Sequence, residues 1–244
     1  MEHDDKSRGR LLSRRQALAL LSSGGAAWIA VGTVATQAKA AGAPSAQCVV
    51  RPQQTEGPYF VDQQLQRVDI RSDPTDGKVK AGTPLALTLQ ISRLHDGGCR
   101  PLADAVVDIW HCDSQGIYSG VQDSAFDTVG QKFLRGYQIT DAGGAARFLT
   151  IYPGGYRGRT VHIHFKIRTG STRGRGYEFT SQLYFDDAMT ARVHAQAPYA
   201  GRPAQLTRNG QDRIFRRNGA QLMLEPVPGA TGYAASFPIA LDLS

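Results

Sequence analysis

The chain has 244 residues, 41% of them hydrophobic, and 28 Lys/Arg against 21 Asp/Glu give a net charge of +7. Its basic residues are scattered, and the one small group, Arg168, Arg173 and Arg175, sits among glycines. That pattern reads as a solvated loop and excludes a nucleic-acid footprint.

Residues 1–40 read as an export leader. Met1 to Arg15 is polar and charged, an Ala/Gly-rich apolar stretch runs from Ala17 to Ala35, and Ala38-Lys39-Ala40 offers a small-x-small cleavage site. This is the three-part plan of a signal peptide. The pair Arg14-Arg15 ahead of a weak apolar core resembles a twin-arginine signal, with Ala17 where a bulky residue is usual. The Gly and Ser content and the cleavage site argue against a retained membrane anchor. The expected location is outside the cytoplasm, periplasmic or secreted. A route that exports folded proteins also suits a metal site loaded beforehand. Removing residues 1–40, which hold six Lys/Arg and three Asp/Glu, lowers the charge from +7 to +4.

Residues 41–54 are expected to form an N-terminal arm, and residues 55–244 a single domain. Short apolar runs with period-two character follow one another, broken by Gly, Pro and Asp. Strands are expected at Pro84–Ser92, Ala105–His111, Arg135–Thr140, Ala145–Ile151, Thr160–Ile167, Glu178–Phe185, Gln221–Pro226 and Tyr233–Leu243. Asp141-Ala142-Gly143-Gly144 reads as a hairpin turn. No amphipathic helix of useful length is evident. The pattern predicts an all-β fold, an antiparallel β-sandwich with long active-site loops. The loops at Ser119–Lys132 and Asp186–Arg217 are the ones expected to shape a site.

Three cysteines follow the leader: Cys48, Cys99 and Cys112. Export permits a disulfide. Cys99 and Cys112 flank one strand, which holds them too far apart to pair. Cys48 with Cys99 is favoured, leaving Cys112 as a small buried hydrophobe near the site.

The strongest local signal is His162-Ile163-His164. Alternation along a strand puts both imidazoles on one face and Val161, Ile163 and Phe165 on the other. Alone, such a pair suits zinc, copper, manganese or iron. Tyr156 lies in the turn Tyr152-Pro153-Gly154-Gly155-Tyr156, six residues before His162, and Tyr118 lies just beyond the strand ending at His111. Singly, either tyrosine is an ordinary packing residue. Together with two imidazoles, two tyrosinates form a hard, anionic set that favours Fe(III), and their charge lowers the cost of burying a trivalent ion.

Four stretches then carry a resemblance: Thr55-Glu56-Gly57-Pro58-Tyr59, the segment Asp108–Gly120, Phe133–Gly144, and above all Tyr152–Ile167 (YPGGYRGRTVHIHFKI). From about Thr55 to Phe185 the chain resembles the intradiol ring-cleavage dioxygenases, and looks closest to protocatechuate 3,4-dioxygenase-type β-chains and their exported single-chain relatives. The resemblance implies a non-haem Fe(III) held by Tyr118, Tyr156, His162 and His164. It implies that Tyr156 is the axial tyrosine that yields to substrate, that Tyr118 stays, that His162 lies in the plane of the bound diol and that His164 lies opposite Tyr156. Arg159 matches an active-site arginine, and Gln182 and Tyr59 match substrate-pocket residues. His111 is expected to support Tyr118 or its loop without being a ligand. The implied substrates are a small aromatic diol and O2, with a cis,cis-muconate-type product. The segment between Tyr156 and His162 is shorter than in protocatechuate enzymes and lacks their tryptophan, which leaves the diol unspecified. The helical N-terminal dimerisation region of catechol 1,2-dioxygenases is absent. Oligomeric state stays open, a homo-oligomer included. Two rival readings are a non-catalytic exported β-sandwich binding module and a zinc or copper site using the histidines alone.

Overall fold

A computed structural model describes residues 48–170, 176–201 and 206–243. The leader read at residues 1–40, and the first half of the arm read at 41–54 (residues 41–47), lie outside the described residues. Among the described residues, nine strands form two sheets: β1 (Pro84–His95), β2 (Gly98–Pro101), β3 (Val106–Trp110), β4 (Arg135–Ile139), β5 (Ala145–Ile151), β6 (His162–Thr169), β7 (Tyr177–Tyr184), β8 (Val227–Gly229) and β9 (Gly232–Leu241). One sheet runs β2-β1-β9-β8 with β5 paired to β1, and the other runs β4-β3-β6-β7. Two short helices, α1 (Asp187–His194) and α2 (Phe215–Asn218), lie between β7 and β8. Among the described residues no helix is long and apolar enough to cross a membrane.

The core is built by alternation. On β1, Leu85, Leu87, Leu89 and Ile91 are buried while Ala86, Thr88 and Gln90 turn outward. Their partners across the sandwich include Ile163, Phe165 and Ile167 of β6, each fully buried side chain contributing about 1.5–3 kcal/mol. Yet β6 is buried without a break from His162 to Ile167. Its second face must be covered too, and residues 52–67 cover it.

That segment is pinned at both edges of the four-stranded sheet. Gln54 N donates to Thr180 O of β7 at 3.0 Å, Arg67 N donates to Tyr137 O of β4 at 3.2 Å, and Tyr137 N donates to Leu65 O at 2.8 Å. Between these anchors Lys166 pairs with Glu56 and Glu178, and Arg168 pairs with Asp62 and Asp108. Cys48 and Cys99 form a disulfide with Cα atoms 5.4 Å apart, as favoured from the sequence, and Cys112 is free and buried.

Four expectations need correction. The first sheet is not purely antiparallel, because β9 runs parallel to β1 from Leu85↔Tyr233 to Arg93↔Leu241. The turn at Asp141–Gly144 forms, closed by Asp141 Oδ1 accepting from Gly143 N and Ala145 N at 2.9 Å each. It joins β4 to β5, which belong to different sheets, so it is an inter-sheet corner. Gln221–Pro226 is not a strand. Gly219–Leu222 is a 3-10 turn, Leu224 N makes one bond to Tyr184 O at 2.7 Å, and Pro226 lacks the donor that would extend a ladder. Finally, Asp187–His194 is helical. Asp186 caps it by accepting from Met189 N, and Met189, Thr190 and Val193 are its buried side, a face too short for periodicity to announce.

Candidate active site

The register of the four-stranded sheet builds one wall of the site. His164 lies opposite Trp110 on β3 and Gln182 on β7, and His162 lies opposite Tyr184. Directly paired residues share a face, so these five side chains project together from the face away from the sandwich core. Trp110 stacks on His164, with centroids 5.0 Å apart and planes 6° from parallel. His162 Nδ1 lies 2.6 Å from Thr160 O. A carbonyl only accepts, so we assign the proton to Nδ1, which leaves Nε2 a bare lone pair.

Two loops supply the other wall. Tyr118 sits in the β3–β4 loop and is buried, its backbone carbonyl held by Thr128 Oγ1 at 2.7 Å and its ring stacked on Tyr59 at 4.5 Å. Tyr156 tips the β5–β6 turn and is half-buried. The loops touch backbone to backbone: Gly154 N donates to Asp113 O at 3.1 Å. Gly116 has φ +81°, and a Cβ there would lie 2.5 Å from Gly155 O. Only glycine permits both that conformation and that approach.

Around His162 Nε2 the donors converge. Tyr118 Oη and Tyr156 Oη each lie 3.3 Å away, and His164 Nε2 lies 3.0 Å away. Atoms bound to one ion at about 2.1 Å and roughly 90° apart are themselves about 3 Å from each other, so the spacing fits one shared metal. His164 Nδ1 is buried with no hydrogen-bond partner, so the Trp110 stack, and not a hydrogen bond at Nδ1, orients this ring. Among the described residues no group of three or more His, Cys, Asp and Glu could hold a metal; here half the donor set is phenolic.

Electrostatics point the same way. Burial, then the nearby Arg159 charge, pushes the His162 imidazole down to about 3. Burial, then His162, pushes His164 well below its ordinary range. Burial, then Tyr156, pushes the Tyr118 phenol well up, and burial also raises Tyr156 against the pull of Arg159. Burial thus favours the neutral form of all four groups. A metal ion at their centre reverses this balance for the phenols and favours tyrosinates.

Arg159 borders the centre, with Nη1 3.4 Å from His162 Nε2. Its Nη2 donates to Gln182 Oε1. Gln182 Nε2 donates to Thr55 O at 2.9 Å, and Tyr184 Oη lies 3.1 Å from Gln182 Oε1. Both ends of the Gln182 amide are thus engaged within the protein, so the geometry gives it the task of holding Arg159. Tyr59 flanks Tyr118 and donates to Asp123 Oδ2 at 2.7 Å. His111 reaches the loop that carries Tyr118 rather than Tyr118 itself: its Nδ1 lies 2.8 Å from Cys112 O and its Nε2 2.6 Å from Thr150 Oγ1. Trp110 takes the site face of β3, so alternation sends His111 toward β5.

Sequence reasoning missed Trp110, Tyr184 and Asp212. Period-two spacing from Gln182 would have found Tyr184, and pairing with His164 would have found Trp110. Nothing local marks Asp212, which is completely buried and accepts from Arg159 Nε at 2.9 Å.

A family model described as Dioxygenase matches residues 55–200. The protocatechuate 3,4-dioxygenase beta chain of Burkholderia cepacia is 33% identical over 122 residues, which cover 46% of this chain and 51% of that one. The chain thus spans about half the length of this curated relative. Among solved structures, the intradiol ring-cleavage dioxygenase from Tetranychus urticae superposes with a TM-score of 0.68 at 28% identity, covering 80% of this chain and 95% of that one. The dioxygenase domain of a dioxygenase–carbohydrate-binding fusion from Streptomyces sp. SirexAA-E gives 0.56 at 28% identity, covering 80% and 100%. The matched stretch contains Thr55, both tyrosine loops and the histidine pair, and the chain belongs to the intradiol ring-cleavage dioxygenases.

Proposed function

We propose that this protein cleaves an aromatic diol between its two hydroxylated carbons with O2, giving a cis,cis-muconate-type product, and that Tyr118, Tyr156, His162 and His164 hold the Fe(III) it uses. The observation that carries this reading is the convergence of two phenols and an imidazole on His162 Nε2. A binding module has no need of that convergence, and a zinc or copper site using the histidines alone leaves the tyrosines without a purpose.

Held by these four residues, Fe(III) would supply the Lewis acidity that activates a diol toward O2. The residues do the rest. Tyr118 is sealed under Tyr59 and stays in place. Tyr156, half-buried at a turn tip, would as a tyrosinate accept a hydroxyl proton from the incoming diol at Oη. Arg159 Nη1 is aimed where negative charge gathers on substrate oxygens. His162 and His164 keep their orientation through Thr160 O and the Trp110 stack. Phe60, packed on Trp110 at 4.9 Å, keeps water from that side.

Oxygen uptake with catechol, protocatechuate, chlorocatechol and hydroxyquinol is the direct test, run with a visible spectrum of the iron-loaded protein. Tyrosinate–Fe(III) charge transfer makes such a protein red-brown. A colourless protein after iron loading, or one that is coloured but inert toward every diol, defeats the proposal.

We further propose export through the twin-arginine route. The Cys48–Cys99 disulfide supports it, since such bonds persist in oxidising compartments. Replacing Arg14 and Arg15 by lysine should retain the protein in the cytoplasm with its leader attached, which fractionation and intact mass read directly. Unchanged export of that variant counts against the route.

A further inference from the structure

We propose that Asp212 is a positioning residue of the ring-cleavage site, contributed by a C-terminal segment that lies beyond the stretch shared with the family model. This rests on the reading of the site given above.

Residues 206–218 follow the matched range 55–200. They are docked by a buried asparagine. Asn209 Nδ2 donates to Phe185 O at 2.9 Å, its Oδ1 accepts from Thr160 Oγ1 at 2.6 Å, and its backbone N donates to Asp187 Oδ1 at 3.0 Å. One 3-10 turn later the chain delivers Asp212, and its two carboxylate oxygens divide the work. Oδ1 accepts from Ile214 N at 2.7 Å and Phe215 N at 3.2 Å, fixing the carboxylate to its own segment. Oδ2 accepts from Arg159 Nε and Thr160 N, each at 2.9 Å.

Both Oδ2 contacts lead into the site. Thr160 N is gripped by Asp212 while Thr160 O holds His162 Nδ1. Arg159 is clamped from two sides, Nε by Asp212 and Nη2 by Gln182, and this leaves Nη1 directed at the point where the four donors meet. A planar guanidinium fixed at two of its nitrogens has no freedom left at the third. Asp212 is completely buried, so its charge is not dissipated by solvent, and Arg159 is its cationic partner. The carboxylate touches no donor of the metal site; its side-chain contact with the site is Arg159, and its bond to Thr160 N is made to backbone.

A double-mutant cycle tests this. Asp212→Asn, Arg159→Met and the double variant are compared in the iron-loaded enzyme for kcat, KM, iron content, visible band and thermal melting. Asp212→Asn should lower kcat about 10- to 100-fold with iron and band retained, the range for residues that orient a site from behind. The double variant should be no slower than Arg159→Met alone, because the two residues act as one unit. Asp212→Glu should recover part of the rate, and it replaces the Asn variant in the cycle if that variant melts below the assay temperature. Multiplying losses, or loss of iron or of the band on Asp212→Asn, overturns the inference. A second readout does not depend on turnover. In iron-free protein the Arg159 Nε–H resonance, assigned by its absence in Arg159→Met, should exchange slowly with solvent and become fast in Asp212→Asn. An unchanged exchange rate defeats the inference even if ring cleavage is found. A wild-type protein inert toward diols defeats the reading of the reaction and leaves the exchange result to decide the role of Asp212.

Discussion

Individual residues carry this site in two ways, by what they offer the centre and by how they are held. Tyr156 is the more exposed phenol and has one turn of chain behind it, so Tyr156→Phe should keep the fold while shifting the visible band and lowering turnover at least about 10-fold. A spectrum and rate like the wild type would remove Tyr156 from the donor set. His111 gives a stability prediction of its own. Burial pushes its imidazole down to about 4, below its ordinary value near 6.5. Above about pH 6.5 the ring is neutral in both folded and unfolded states. As pH falls from there toward 4, only the unfolded chain takes the proton, so the folded state loses up to about 3 kcal/mol across that window. Urea midpoints at pH 7 and pH 4.5 should draw closer together in His111→Gln than in the wild type. The donors were legible because His-x-His and Tyr-x5-His are local spacings that a strand and a turn convert directly into proximity. Asp212 was not, since 53 residues separate it from Arg159 and only the tertiary path of the C-terminal segment brings them together.

At the level of elements, the strands that read best are those with one clean apolar face. Ala145–Ile151 was read with its observed ends, and β1 differs only by running on into a hairpin. That hairpin turns at Asp96-Gly97 with φ of +46° and +75°, the left-handed pair a two-residue turn requires. It announced itself in the sequence and passed unread. What periodicity could not show is sheet membership: β4 and β5 are joined by a tight turn yet lie in different sheets, and β1 pairs in parallel with a strand from the far end of the chain. The two tyrosine loops depend on each other through their close backbone approach. Gly116→Ala must force them apart, since its Cβ would meet Gly155 O at 2.5 Å from a left-handed backbone. A loss of about 1–3 kcal/mol follows, with weaker iron retention. Stability and iron content equal to wild type would show that the loops move independently.

For the whole molecule, the Cys48–Cys99 bond joins the start of the described chain to β2 across a separation of 51 residues. Removing it as Cys48→Ser/Cys99→Ser should cost about 2–4 kcal/mol, seen as a lower denaturant midpoint for oxidised wild type after reduction and for the double variant alike. Equal midpoints with and without the bond would remove it as a stabiliser. The bond also secures the entry to residues 52–67, the segment laid over the four-stranded sheet and tied to its outermost strands, β7 and β4. An exposed outer strand is a template on which another chain can add. Here that backbone is partly engaged from within the same molecule, by the same segment that lies over the histidine pair. The segment that covers the histidine pair therefore also occupies part of both outer strands, so the shelter of the site and the blunting of these edges are lost together when it peels away.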